Sequence, residues 1–389
     1  MLILLVAWLF SFKRSKVNIR LVFSALLLHF LTAFLVLKFP LGKYLLQKVA
    51  FGVKEVYASA DVGLKFVFGA LADETMPWGV IFAVKILPVI VFFGALMALL
   101  YHFRIIQFFV LAISYLIRPI LGTSGAETLC AITNSFLGQT EAPLLVKNYL
   151  KDMTKSEFML VMISGMATIS GGILVIFYKM GVPIKHLLAS SVMAIPASIL
   201  ISKIIYPETE DPKTASGSEI KFEKDTSNMF DAIFVGTSDG LKLALNVGAM
   251  LISFLALLSM LNYVLGYFSG GVLSVNSILA YLFSPFAYLL GFTGDEALQA
   301  GQLLGTKVAV NELVAYIDLV KAHLSERTTS ILTYALCGFS NFSCIGIQIG
   351  GIGALVPSKK LWLTQFGLYA VLGGALANLL SAMVASLLL

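Results

Sequence analysis

Two short polar motifs interrupt an otherwise apolar chain, and each contains a glutamate. The first is Leu137-Gly-Gln-Thr-Glu-Ala-Pro143 and the second is Asn311-Glu-Leu-Val-Ala-Tyr316. Their amides, hydroxyls and carboxylates can donate and accept hydrogen bonds to a polar solute. A carboxylate in a membrane segment is costly unless it faces a cavity or a partner, so it marks a candidate functional site. The two motifs therefore predict binding of a polar ligand.

The composition places these motifs in a membrane protein. Of the 389 residues, 59% are hydrophobic and only 12% are charged, whereas soluble proteins have about a quarter charged residues. The lysines and arginines lie at the ends of apolar runs, as topology signals do, which argues against a nucleic-acid partner. Cys130, Cys337 and Cys344 lack paired spacing, so we expect free thiols and no cofactor or metal cluster. We predict an all-α polytopic membrane protein that is not an enzyme.

The elements that position the motifs can be read from the apolar runs. Eight predicted transmembrane helices cover residues 1–12, 21–39, 78–103, 158–180, 184–206, 240–268, 329–356 and 361–389. Residues 40–77, 104–121 and 271–291 are expected to lie at the membrane interface. Residues 122–150 and 294–320 are too polar to face lipid. Because irregular backbone at membrane depth survives only under cover of protein or a water-filled cavity, we expect two re-entrant helical hairpins there.

The chain also contains an internal repeat. A hairpin, a broken helix and a full helix occur in this order on both sides of the hydrophilic stretch Pro207–Asn228, and Gly165-Met-Ala-Thr-Ile-Ser170 in the first broken helix echoes Gly338-Phe-Ser-Asn-Phe-Ser343 in the second. Paired interrupted helices in two halves point to a secondary transporter with its site at the repeat interface. An odd number of crossings between the repeats would make them inverted. Alternatively, the glycines match in the two halves only by coincidence, and the chain has no internal repeat.

These residues resemble the signatures of the concentrative nucleoside transporters. The resemblance rests on Gly138-Gln-Thr-Glu-Ala-Pro143, Asn311-Glu-Leu-Val-Ala-Tyr316 and Cys337-Gly-Phe-Ser-Asn-Phe-Ser343, with support from Ser124-Gly-Ala-Glu127 and Gly305-Thr-Lys307. It covers essentially the whole chain and matches the short bacterial form. It implies eight transmembrane helices, two oppositely oriented re-entrant hairpins, a homotrimer in the cytoplasmic (inner) membrane, and a transport domain that moves against a fixed scaffold.

The resemblance also implies a division of the chain. Residues 1–103 and the helix 240–268 would form the scaffold, and residues 207–239 would form a hydrophilic linker. Residues 104–206 and 269–389 would be the two repeats of the transport domain.

A nucleoside offers a base edge with donors and acceptors and a ribose with two adjacent hydroxyls. Its site therefore needs amides, hydroxyls and carboxylates in a mostly apolar pocket. By resemblance, Gln139, Thr140 and Glu141 recognise the base, and Glu312 and Asn341 contact the ribose. The full predicted substrate set is Gly138, Gln139, Thr140, Glu141, Ile173, Glu312, Asn341 and Cys344. In the alternative interpretation, Gln139 and Glu141 only cap the half-helices of the hairpin.

One position departs from the family pattern. Cys344 stands where the family commonly has a serine, and a thiol is a weaker hydrogen-bond donor than a hydroxyl. This puts one ribose contact in doubt. Ser343 is adjacent but is expected to point elsewhere on the helix.

The resemblance implies sodium as the coupling ion, with oxygen ligands from Asn134, Leu137, Thr168 and Ile169. Unwound backbone carbonyls serve coupling ions in this way in transporters. Proton coupling through a glutamate and a nucleobase or polar-metabolite carrier on the same scaffold remain alternatives. An intramembrane enzyme would need a nucleophile or metal set that the sequence does not show. Glu127 is expected to be a helix-end or interdomain partner, and Lys307 is expected to neutralise a hairpin carboxylate.

Overall fold

The computed structural model describes residues 1–73, 76–77, 81–214 and 226–389, and of Met250 only the backbone. Within these ranges the regular structure is entirely helical. Trp78, the expected start of the third span, and residues 215–225 of the expected linker lie outside the described residues. In chain order the α-helices are α1 Leu2–Leu9, α2 Ile19–Leu37, α3 Pro40–Phe68, α4 Phe82–Lys85, α5 Val89–His102, α6 Ile105–Leu121, α7 Gly125–Thr133, α8 Lys147–Leu150, α9 Lys155–Ala167, α10 Gly171–Lys179, α11 Ile184–Ile205, α12 Met229–Ser269, α13 Val275–Leu289, α14 Gly294–Ala309, α15 Glu312–Lys321, α16 Glu326–Leu336, α17 Phe342–Leu355 and α18 Lys360–Leu388.

The helices confirm a multi-pass membrane architecture. Six helical segments of the described chain are long and apolar enough to cross a bilayer: Ile19–Leu37, Phe82–His102, Lys155–Lys179, Ile184–Ile205, Met229–Ser269 and Pro357–Leu388. The number eight stays a prediction. The first predicted span contains only the eight-residue helix α1, and the second broken helix is not one of the six segments.

One predicted boundary is wrong. The helix expected at 240–268 begins at Met229, so residues 229–239, which we assigned to the linker, are helical. The cause is local, because the Asn228 side chain accepts a hydrogen bond from the backbone N–H of Asp231 at 3.0 Å. An asparagine cap of this kind satisfies an otherwise unpaired N–H and starts a helix.

The interior of the molecule is formed by the helices of the two repeats. The apolar windows of α11 and of α9 with α10 are 89% and 83% buried, whereas those of α2 and α12 are only 17% and 12% buried. Helix α18 packs against α9, α11, α16 and α17. The first broken helix and α11 are therefore enclosed by protein, while α2 and α12 present apolar surface that suits lipid.

Glycines allow α5 and α12 to pack closely. A Cβ at Gly94 would lie 2.4 Å from the carbonyl oxygen of Gly236, and one at Gly240 would lie 2.8 Å from that of Ile90. Small residues at such contacts let helix backbones approach in a membrane, where apolar burial alone drives little association.

Both expected broken helices are present. The first consists of α9 and α10, with a break at residues 168–170, and the second consists of α16 and α17, with a break at residues 337–341. Ser170 caps α10 by accepting from the N–H of Ile173 at 3.4 Å. Asn341 caps α17 by accepting from the N–H of Cys344 at 2.9 Å. Capping side chains therefore restart each helix directly after its break.

Both expected hairpins are also helix–turn–helix units. The first runs from α7 through a 3-10 turn at Ala142–Val146 to α8, and the second joins α14 to α15. The start of each hairpin is bonded to the start of its own broken helix. Ser124 Oγ donates to Glu157 Oε1 at 2.5 Å in the first repeat, and Thr328 donates to Glu296 in the second. Their re-entrant placement in a membrane remains a prediction.

Candidate functional site

The breaks of the two broken helices meet at one point. The N–H of Phe339 in the second break donates to the carbonyl oxygen of Thr168 in the first, at 3.2 Å. A Cβ at Gly338 would lie 2.3 Å from Asn378 Oδ1 and 2.9 Å from the carbonyl oxygen of Ala167, so glycine is required for this approach. The two repeats therefore contact each other through unwound backbone.

Asn378 of α18 and Lys307 of α14 hold the ends of both broken helices. Asn378 Nδ2 donates to the carbonyl oxygens of Ala167 at 2.7 Å and Cys337 at 2.9 Å. Lys307 Nζ, almost fully buried, donates to Asn378 Oδ1 at 2.7 Å and to the carbonyl oxygen of Ala335 at 2.8 Å. Because helix C-termini carry partial negative charge, a cation here is stabilising. Lys307 thus makes its direct hydrogen bonds to Ala335 and Asn378, and it also interacts electrostatically with the hairpin carboxylate of Glu312, as we expected.

The tip of the second hairpin faces the second break. Glu312 is the first residue of α15, and its Oε2 accepts a hydrogen bond from Asn341 Nδ2 at 2.9 Å. The Asn341 Oδ1 accepts from the N–H of Cys344 at 2.9 Å and from Ser343 Oγ at 2.6 Å. All these groups but Ser343 are buried. The expectation that Ser343 points elsewhere is wrong, because its hydroxyl orients the predicted ribose contact Asn341.

The tip of the first hairpin lies against the second broken helix. Gln139 Oε1 accepts from Gln348 Nε2 of α17 at 3.1 Å. A Cβ at Gly351, also on α17, would lie 2.5 Å from Thr140 Cγ2. Glu141 instead makes a local bond, with its Oε2 accepting from the N–H of Gly138 at 3.2 Å. Gln139 and Thr140 therefore contact the other repeat, while the Glu141 side chain bonds back within the tip and does not cap the 3-10 turn that follows it.

Cys344 links the two groups of predicted substrate residues. Its thiol neighbours the side chains of Gln139 and Asn341, and it is 3% exposed. Ile173, in contrast, lies buried in the first turn of α10, directly after the cap Ser170. A polar row therefore lies at the repeat interface, and it consists, in order, of Gln139, Cys344, Asn341 and Glu312.

Two of the predicted ion ligands, Asn134 and Thr168, also lie together, beside Ser164. Asn134 Nδ2 donates to Ser164 Oγ at 2.9 Å, and Thr168 Oγ1 donates to the carbonyl oxygen of Ser164 at 2.8 Å. The buried Asn134 Oδ1 has no hydrogen-bond partner among the described residues. Within the same part of the chain, no backbone N–H bonds the carbonyls of Asn134, Leu137 or Ile169. Unpartnered neutral oxygens of this kind fit a hard monovalent cation.

Glu127 has the helix-end role that we expected, because its Oε1 accepts a hydrogen bond from the backbone N–H of Ser124 at 2.8 Å at the start of α7. Its Oε2 forms a 2.6 Å ion pair with Lys203 Nζ of α11, and both side chains are buried. Lys203 also donates to Ser156 Oγ at 3.0 Å. Glu127 therefore ties the start of the first hairpin to α9 and α11, away from the polar row.

The sequence interpretation missed Gln348 and Asn378. Both are fully buried amides in apolar helices, and this isolation in an apolar run was the available signal. A buried amide without partners is costly, so each was a candidate for a hydrogen-bonding role.

Comparison with known proteins identifies the family. A model described as the C-terminus of the Na+ dependent nucleoside transporter matches residues 186–386, more than half of the chain. The model of the N-terminus of the same family matches residues 1–71, and a nucleoside-recognition gate model matches residues 83–183. The chain belongs to the Na+ dependent nucleoside transporter family. It is a transporter and not an enzyme, as the motifs predicted.

Relatives within this nucleoside transporter family cover nearly the whole chain. The nucleoside permease NupC of Helicobacter pylori is 40% identical over 98% of the chain and 94% of its own length. The sodium/nucleoside cotransporter 1 of Rattus norvegicus is 36% identical over 93% of the chain and 58% of its own length. The solved structure of CNTnw in an inward-facing substrate-bound state superposes with a TM-score of 0.95 at 38% identity, covering all of this chain and 95% of that one.

Proposed function

We propose that this protein imports nucleosides together with sodium across the cytoplasmic membrane by alternating access. The observation that carries the proposal is the polar row in which Cys344 of the second repeat neighbours both Gln139 of the first repeat and Asn341 of its own. A site shared by two repeats can be opened to either side when one element moves, as in other secondary transporters.

The row has two chemically distinct ends that suit the two parts of a nucleoside. Glu312, already bonded by Asn341, offers a carboxylate that accepts hydrogen bonds from adjacent ribose hydroxyls, and such bonds are charge-assisted. Gln139 offers an amide for the base edge. Thr140 packs on Gly351 beside it. Gly138, Glu141 and Ile173 complete the proposed substrate set.

Sodium is the proposed coupling ion. The unpartnered Oδ1 of Asn134 and the Thr168 hydroxyl both lie beside Ser164. The carbonyls of Asn134, Leu137 and Ile169 complete an all-oxygen set. The family description and the rat cotransporter support sodium dependence in relatives. Binding of the ion would fix the first hairpin tip, because Leu137 precedes Gly138 and Gln139 directly.

The conformational states of a relative support the proposed alternating access. CNTnw has been solved in inward-facing and outward-facing states, both with a TM-score of 0.95 to this chain. We propose that residues 104–206 and 269–389 form the moving transport domain, that residues 1–103 and 240–268 belong to the scaffold, and that three copies assemble in the membrane.

Equilibrium binding of uridine to the purified protein tests the substrate class. We expect uridine to bind more tightly in sodium than in choline, and uracil and 2′,3′-dideoxyuridine to compete poorly because they lack the ribose hydroxyls. Competition by uracil equal to that by uridine would favour the nucleobase carrier instead. Equal affinity in sodium and choline, with dependence on pH, would favour proton coupling.

A further inference from the structure

Gln348 is a fully buried side chain on α17 to which neither the sequence motifs nor the proposed substrate set gives a role. Its Nε2 donates to two acceptors, the carbonyl oxygen of Met162 at 2.9 Å and Gln139 Oε1 at 3.1 Å. A glutamine amide has two N–H donors, so both hydrogens of Gln348 are used. The side chain spans from the backbone of the first broken helix to the tip of the first hairpin.

The orientation of the Gln348 amide is fixed by the backbone. A carbonyl oxygen only accepts hydrogen bonds, so the end of Gln348 that faces Met162 must be its NH2 group. Rotating the amide by half a turn would place the Gln348 Oε1 against the carbonyl oxygen of Met162, and two acceptors cannot bond each other. The Gln348 Oε1 is buried and has no partner among the described residues. No hydrogen-bond acceptor beside this oxygen would therefore favour the rotated amide, in which the NH2 group takes its place.

The orientation of Gln139 follows from that of Gln348. Since the remaining hydrogen of Gln348 points at Gln139, the Gln139 amide must turn its oxygen toward Gln348. Gly165 on α9 permits this arrangement, because a Cβ there would lie 2.8 Å from Gln139 Cβ and 3.1 Å from Gln348 Nε2. The NH2 group of Gln139 is then left for the site, on the side of its neighbour Cys344.

We propose that Gln348 is a positioning residue for base specificity, which holds Gln139 with its amide nitrogen toward the substrate. The site then selects nucleosides whose base carries an exocyclic carbonyl oxygen at pyrimidine C4 or purine C6 over those that carry an exocyclic amine at that position. This inference rests on the proposed nucleoside function. It predicts that uridine is preferred over cytidine and inosine over adenosine, because an amine opposite the Gln139 NH2 would place two donors against each other.

The test compares nucleoside affinities of the wild type with those of Gln348→Met. Methionine keeps the unbranched shape but donates no hydrogen bond, so the Gln139 amide becomes free to rotate. A neutral hydrogen bond contributes about 0.5–1.5 kcal/mol, so we expect wild-type ratios of at least about twofold for uridine over cytidine and inosine over adenosine. Both ratios should approach one in Gln348→Met. Ile347→Met, at the exposed neighbouring position on α17, should keep the wild-type ratios.

A purely structural role for Gln348 would lower affinity for all nucleosides equally and leave the ratios unchanged, and that result would overturn the proposal. Gln348→Leu tests the same point if the methionine variant does not fold. A second test uses only the wild-type protein and so does not depend on whether a variant folds. The riboside of pyrimidin-2-one, which keeps the C2 oxygen of uridine but lacks the exocyclic oxygen at C4, should bind at least about twofold more weakly than uridine, and equal binding would contradict the proposal. Absence of any nucleoside binding by the wild type would overturn the proposed function itself, whereas binding with unchanged ratios would overturn only this inference.

Discussion

Asn341 donates from Nδ2 to Glu312 Oε2 over 2.9 Å and so joins the cap of α17 to the first residue of α15. Asn341 caps the helix with its oxygen and orients the glutamate with its nitrogen. The geometry of the hairpin tip therefore depends on the broken helix of the same repeat. A movement that separates these two elements would break the bond and disassemble the proposed ribose end of the site.

Replacing Glu312 with glutamine should weaken ribose recognition specifically. A hydrogen bond to a charged group contributes about 1.5–3 kcal/mol, so uridine affinity should fall about 10- to 100-fold. Affinity for 2′,3′-dideoxyuridine should change less than about threefold on the same scale. Competition binding measures both, with the exposed Glu326→Gln as the control. Retention of wild-type uridine affinity in Glu312→Gln would contradict the assigned role.

Thr168→Val should raise the sodium concentration needed for half-maximal uridine binding. The substitution removes the hydroxyl but keeps the shape of the side chain. Thr333→Val is a matched control, because Thr333 is also buried and also donates to the carbonyl four residues earlier, Thr329, at 2.7 Å. We expect a shift of about threefold or more for Thr168→Val and none for Thr333→Val. Equal sodium curves for the two variants would remove Thr168 from the ion site.

Two adjacent glycines on α17 provide a test of the hairpin contact. A Cβ at Gly351 would lie 2.5 Å from Thr140 Cγ2, whereas one at Gly350 meets nothing within 4 Å among the described residues. Gly351→Ala should therefore displace the first hairpin tip and lower uridine affinity by about tenfold, a cost within the range of overpacking. Gly350→Ala should bind uridine normally. Similar affinities in both variants would show that the tip does not pack here during binding.

Lys203→Met should destabilise the protein through the charge that it leaves behind. Glu127 is buried and pairs with Lys203 at 2.6 Å, and removing one partner of a buried pair costs about 3–5 kcal/mol. The double variant Glu127→Leu with Lys203→Met should recover much of this loss. Lys213, in an exposed pair with Asp152 at 3.0 Å, serves as control, and Lys213→Met should cost less than about 1 kcal/mol. Chemical denaturation in detergent measures these differences, and a double variant no more stable than Lys203→Met would argue against the pair.

The repeats and the hairpins could be predicted because their polar residues stand out locally in apolar sequence. Glu141 and Glu312 each stand out in an apolar neighbourhood without knowledge of any distant partner. The breaks at residues 168–170 and 337–341 have capping residues beside them in the sequence. The extension of α12 back to Met229 was missed, because an asparagine cap in a hydrophilic stretch resembles any other linker residue.

The partners across the site could not be predicted. Gln348 and Gln139 are 209 residues apart, and Asn378 bonds Ala167 across a separation of 211 residues. A single amide in an apolar helix signals that it needs a partner but does not identify it. The bond from Lys307 to the carbonyl oxygen of Ala335 was missed for the same reason, since a sequence gives no signal for which helix-end carbonyl needs a donor.

Uptake of radiolabelled uridine into liposomes that contain the purified protein tests the central claim most directly. With sodium outside and choline inside, we expect uridine to accumulate above its external concentration, and the accumulation to collapse when the sodium gradient is dissipated. Replacing external sodium with choline should abolish it. Folded protein that shows no uridine accumulation under a sodium gradient, or accumulates it equally in choline, would contradict sodium-coupled nucleoside import.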